Sequence, residues 1–108
     1  MDLLNAVMRE RFFDKTVAHL QEVFPEQTKN REAADLRALA EDGMKRAAAY
    51  RLTGEREVTL FIDLLMGLGP DFDSRPAYVR LRCILEDKDL AQGDKMDIVY
   101  KKLERSAR

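Results

Sequence analysis

The sequence predicts an all-α fold, a compact bundle of about five helices around a central apolar helix at about residues 54–68. Three observations predict it. In the run VTLFIDLLMGLGPDFD, Val58, Phe61, Ile62 and Leu65 fall at i, i+3, i+4 and i+7, one face of a helix. Met66 and Leu68 widen that face over much of the circumference, as expected of a helix touched from several sides. No segment of strand length alternates with period 2, and the connections between periodic segments are short, which favours antiparallel neighbours in a bundle. At 108 residues the chain reads as one helical domain, 1–108, able to bury roughly 65% of its unfolded surface without metal or disulfide staples.

The first helix is expected to start after Asp2, a good N-cap, and to run to Val23 or Phe24. Leu4, Val7, Met8, Phe12, Val17, Leu20 and Phe24 form its apolar stripe. Pro25 disfavours helical geometry at Phe24 and ends it. Residues 26–29 read as a polar connection. Thr28 and Asn30 compete as N-cap of a second helix over about 31–51, rich in strong helix formers. Its buried face reads Ala33, Leu36, Leu39 or Ala40, Gly43, Ala47 and Tyr50. Small residues there admit a close neighbour, so a partner helix should cross near Gly43 and Ala47. The chain breaks at Leu52, Thr53 and Gly54, with Thr53 as expected N-cap of the central helix and Glu55 and Glu57 complementing its dipole. Gly69 suits the left-handed residue that ends a helix, and Pro70 prevents continuation.

Residues 71–75 read as a loop over which Phe72 returns to cover the core. Ser74 is the expected cap of a fourth helix at about 75–85, with Pro76 near its start and Tyr78, Leu81, Ile84 and Leu85 inward. Residues 86–89 form a charged turn, Leu90 plugs the core, and a last helix runs over about 91–105 with Met96, Val99, Tyr100 and Leu103 inward. Lys101, Lys102 and Arg105 near its end suit the dipole.

Bulk chemistry argues against several function classes. With 45% hydrophobic and 36% charged residues the chain is globular, not disordered. Nineteen basic against twenty acidic residues give a net charge of -1, without the basic excess usual in nucleic-acid binders. One cysteine forms no internal disulfide and gives no sign of an oxidising compartment. No basic segment precedes the short apolar patch at the N-terminus, so it does not read as a secretory signal. No stretch approaches ~20 apolar residues. The expectation is a cytoplasmic protein without membrane or nucleic-acid partners.

The candidate chemical groups are few. His19, the single histidine, reads as a surface or boundary residue near Glu22, with a Cys–His nucleophilic pair open only if the fold brings Cys83 to it. Cys83 reads otherwise as a small buried or half-buried thiol. Asp71 and Asp73 form a DxD pair that could hold a divalent cation, but the spacing fits no EF-hand loop, since Pro76 stands where glycine is needed. Loop capping is the simpler role. Asp87, Asp89 and Asp94 fail the same test. No phosphate-binding, dinucleotide or hydrolase motif occurs. Arg31, Arg37, Lys45, Arg46 and Arg51 are interleaved with acids and read as a solvated face. Arg80 and Arg82 lie on different faces and form no stripe. Residues 31–68 could be read as helix-turn-helix, but the would-be reading helix is apolar with only Arg56 at its start. No catalytic set, cofactor or metal is expected.

Three segments, RFFDKTVAHLQEVFPEQT, FIDLLMGLGPDFD and ILEDKDLAQGDKMDIVYKKL, with the link AAAYRLTGEREV, cover most of the chain. Together they resemble small helical proteins encoded beside PAAR-repeat and effector genes in bacterial type VI secretion clusters. GPDFD is the most specific part. The chain departs from the family pattern at Ala91, where a capping Ser is favoured. The resemblance implies a non-enzymatic co-chaperone or adaptor that helps load an effector. It implies a protein partner: an effector, an effector chaperone or a spike-tip protein from a neighbouring gene. The alternative is a toxin-neutralising immunity protein. The family lends no catalytic residues. Asp71, Phe72, Asp73, Ser74 and Arg75 form the candidate partner-binding loop.

Overall fold

The computed structural model describes residues 6–106. The expected N-cap Asp2 and the stripe residue Leu4 lie outside them. The described residues form α1 (Ala6–Val23), α2 (Pro25–Thr28), α3 (Ala33–Ala49), α4 (Glu55–Leu68), α5 (Val79–Glu86) and α6 (Gln92–Ser106). Short 3-10 turns occupy Phe72–Ser74 and Pro76–Tyr78, and no strand occurs among the described residues. The all-α expectation holds. The additional helix is the single turn α2, where a polar connection was expected: proline's fixed φ suits a helix start, and Thr28 Oγ1 donates to the Phe24 carbonyl at 2.8 Å.

Helix α4 is central. It packs against α1, α3, α6 and the Phe72–Ser74 turn. Val58, Phe61, Ile62, Leu64 and Leu65 are all buried on it. The small face of α3 is where α4 crosses. A Cβ on Gly43 would lie 2.7 Å from Ile62 Cγ1 and 3.2 Å from Leu65 Cδ1, so glycine is what permits this approach. Leu36, Ala40 and Ala47 are buried beside it, while Ala33, expected inward, is exposed. On α1, Phe12, Phe13, Thr16 and Leu20 face the core. Val7 was expected among them and is 60% exposed. Four rings continue the core from α3 to α5. Tyr50–Phe61, Phe61–Phe72 and Phe72–Tyr78 have centroids 5.7, 5.9 and 6.2 Å apart.

The helix ends differ most from the sequence reading. Glu32, extended at φ -78° and ψ 156°, starts α3 in place of Thr28 or Asn30, because Thr28 is buried and bonded back to α1's end. Its carbonyl accepts from Asp35 and Leu36. Gly54 rather than Thr53 is the N-cap of α4. Its amide and that of Thr53 both donate to Gln92 Oε1, at 2.8 and 2.9 Å, from α6. Gly69 has the expected positive φ, at 112°, but ψ is 151°, an extended region open essentially to glycine. Pro76 holds Arg75 extended at φ -85° and ψ 138°. The fourth long helix therefore starts at Val79, not near 75. Ser74 does not cap it, since its hydroxyl donates to the Asp71 carbonyl at 2.9 Å. Leu90 is half-buried.

Candidate partner-binding surface

The expected binding loop is fixed from below. Phe72 is fully buried between Phe61 and Tyr78. The Asp73 carboxylate, with its side chain only 16% exposed, accepts from Arg46 Nη2 at 2.8 Å and from the Tyr50 hydroxyl at 2.7 Å, both on the α3 side. Arg46 also donates to the Pro70 carbonyl and lies over the Phe61 ring. One guanidinium thus clamps both ends of the turn to α3. Burial, then the bond to Asp73, pushes the Tyr50 hydroxyl up to about 12. Of the five loop residues, Asp71, Ser74 and Arg75 are exposed. Arg75 donates to Asp71 at 2.8 Å and to the Leu68 carbonyl at 3.2 Å, and that guanidinium holds the Asp71 carboxyl below its ordinary value. The two aspartates of DxD therefore serve different arginines, and no cluster of three or more His, Cys, Asp or Glu suited to a metal occurs among the described residues.

The other candidates resolve into ties between helices. His19 bonds not Glu22 but Asp63, with Nε2 2.9 and 3.0 Å from the two carboxylate oxygens, joining α1 to α4. Burial pushes Asp63 up, and His19 partly opposes this. Cys83 is exposed, contrary to expectation. The reason is register: Leu81 and Leu85 take the core face of α5, and Cys83 falls opposite. Arg37 and Arg46 are half-buried rather than solvated. Arg37 reaches Glu10, Asp14 and Glu41. Lys95 was missed altogether. It is 1% exposed and donates from Nζ to the Tyr50 carbonyl at 2.9 Å, closing the C-terminus of α3. Burial lowers its pKa, with Arg51 adding to the effect.

A groove of about 380 Å³ lies between the Pro76–Tyr78 turn, α5 and α6, lined by Ala77, Tyr78, Arg80, Leu81, Lys102, Leu103 and Arg105. Leu81 is buried, Tyr78 and Leu103 are half-buried, and Arg80 and Arg105 are exposed. Its three cationic side chains form no ion pair among the described residues, and no acid lines it. Arg80 and Arg82 do part, as expected: Arg82 pairs with Glu86 at 3.3 Å, whereas Arg80 faces the groove. The sequence signal for the rest was Lys102 and Arg105, three apart on α6, which a dipole role alone had accounted for. Among the described residues no helix is long and apolar enough to cross a membrane. Comparison of the chain with protein-family models, curated proteins and solved structures finds no match.

Proposed function

We propose that this chain is a non-enzymatic protein-interaction module, an adaptor or co-chaperone that helps load a type VI secretion effector in the bacterial cytoplasm. The observation that carries the reading is a division of its polar groups. His19, Asp63, Asp73 and Arg46 are engaged with one another across helices. The exposed polar groups of the 71–75 turn stand on a base clamped to α3, and the cationic groove begins two residues beyond it. A rigidly held surface costs little ordering on binding, which suits a docking role. The resemblance of the three segments, GPDFD above all, supplies the secretion context.

The reading predicts a stable complex with the product of a neighbouring gene. Co-expression with each neighbour, followed by size-exclusion chromatography, should give one co-eluting pair. Elution of the free chain alone beside every neighbour would sink the proposal. Protection of cells from the cognate toxin by this chain alone would replace it with the immunity reading.

A further inference from the structure

We infer that the groove between the Pro76–Tyr78 turn, α5 and α6 binds an acidic peptide segment that carries a large apolar side chain. The inference rests on the reading of the chain as a protein-binding module and names the chemistry of its partner. The floor is apolar: Tyr78, Leu81 and Leu103 line it beside Ala77. The rim is cationic: Arg80 and Arg105, both exposed, and the half-buried Lys102 line the same groove. At about 380 Å³ the groove falls at the lower end of ligand-pocket sizes, about 300–1,000 Å³. That is room for an anchoring side chain and its flanks, not for a folded domain.

Charge complementarity selects the occupant. Arg37, Arg46, Arg56, Arg75 and Arg82 each have a carboxylate within 3.3 Å. Arg80, Lys102 and Arg105 have none among the described residues; Arg11, Arg31, Lys45, Arg51 and Lys101 also lack one, but these three line a single groove that no acid lines, on a molecule whose net charge is -1. Three like charges gathered on one rim repel one another, and carboxylates from outside relieve that repulsion through charge-assisted hydrogen bonds. An arginine at such a rim presents a planar fork that carboxylates match. The three cations share the groove with an aliphatic floor and a single aromatic ring, whereas a nucleic-acid backbone calls for a track of positive charge with several stacking aromatics. A segment with Leu or Phe set among Asp and Glu fits both the floor and the rim.

The test uses the full chain, labelled with nitrogen-15, and a synthetic peptide in which Leu and Phe are flanked on both sides by Asp and Glu. Titration should shift the amides of residues 77–81 and 102–105. The peptide with Asn and Gln for its acids, and the one with Ser for its apolar pair, should each bind about ten-fold or more weakly. The double variant Arg80→Glu, Lys102→Glu should lose binding to a similar degree while keeping its thermal melt, and Arg80→Gln, Lys102→Gln should fall between. Failure of the acidic peptide to shift these amides at millimolar concentration would overturn the inference. So would equal binding of the neutral peptide, tighter binding of an oligothymidylate or of phosphatidylglycerol vesicles at the same residues, or shifts of these amides on dilution alone, which would mark a second copy as occupant. A gene-neighbour complex indifferent to both double variants would overturn the groove and leave the adaptor reading. Peptide binding without any such complex would do the reverse.

Discussion

Among the described residues Arg51 is the non-glycine residue with positive φ, at 63°. Its backbone ends α3 in a Schellman motif. The Leu52 amide reaches the Ala47 carbonyl and the Arg51 amide reaches that of Ala48, both at 2.9 Å. Leu52, 1% exposed, is the apolar residue that accompanies the motif. An arginine tolerates the left-handed site because its side chain works elsewhere: Nη2 donates to the Glu86 carbonyl at 2.8 Å, at the end of α5. Two variants separate these roles. Arg51→Ala loses the hydrogen bond and keeps the Cβ in a left-handed conformation; Arg51→Gly loses the bond and removes the Cβ. The glycine variant should therefore be more stable than the alanine variant by about 1 kcal/mol in urea titrations. Equal stability would show that the left-handed site carries no strain.

At the scale of elements, what the sequence made legible was what periodicity can carry. The face of α4 follows from four apolar positions, and the small face of α3 announces a close crossing that Gly43 and Ile62 realise. Leu65 is 2% exposed at that crossing, so Leu65→Ala should cost about 2–5 kcal/mol in a denaturant titration. A cost under ~1 kcal/mol would deny α4 its central place. The ends of α1 at Val23 and of α4 at Leu68 were legible from Pro25 and Gly69-Pro70, but the side chains that satisfy the helix termini were not, for a shared reason. Gln92 holds the start of α4, and Lys95, Arg75 and Arg51 close the ends of α3, α4 and α5. Local rules look for a cap within a few residues of a helix end, and Gln92 and Lys95 lie 38 and 45 residues from the groups they satisfy. The same limit hid the Asp63 partner of His19, 44 residues away, and the groove, whose cations come from two helices. The candidate loop was legible as a loop closed by Phe72, but not the inward turn of Asp73, which depends on Arg46 and Tyr50.

The whole molecule is a flattened body, with principal extents of 32 × 31 × 20 Å, so few ionisable groups sit far from water. Burial is the largest cause of shift at four groups, the half-buried Asp63, Tyr50 and Tyr100, which move upward, and the buried Lys95, which moves downward. The signs at alkaline pH differ between groups. Tyr50, raised from 10.0 to about 12, contributes stability that is fully present below 10 and is lost as pH climbs through about 12. Tyr100, whose hydroxyl donates to the Leu60 carbonyl at 2.7 Å, follows the same direction. Lys95, lowered from 10.5, contributes in the opposite sense, its share being present above that value and lost as pH falls through the folded one. Tyr50→Phe isolates one of these contributions. Below pH 10 the variant lacks the hydrogen bond to the Asp73 carboxylate and should be less stable than the parent by about 1.5 kcal/mol. Between pH 10 and about 12 the parent ionises its unfolded tyrosine ahead of its folded one and loses that advantage, which the variant never had. Urea titrations of both proteins at stepped pH should therefore converge across that window. Curves that stay parallel through it would show that Tyr50 ionises no later in the folded protein than in the unfolded chain.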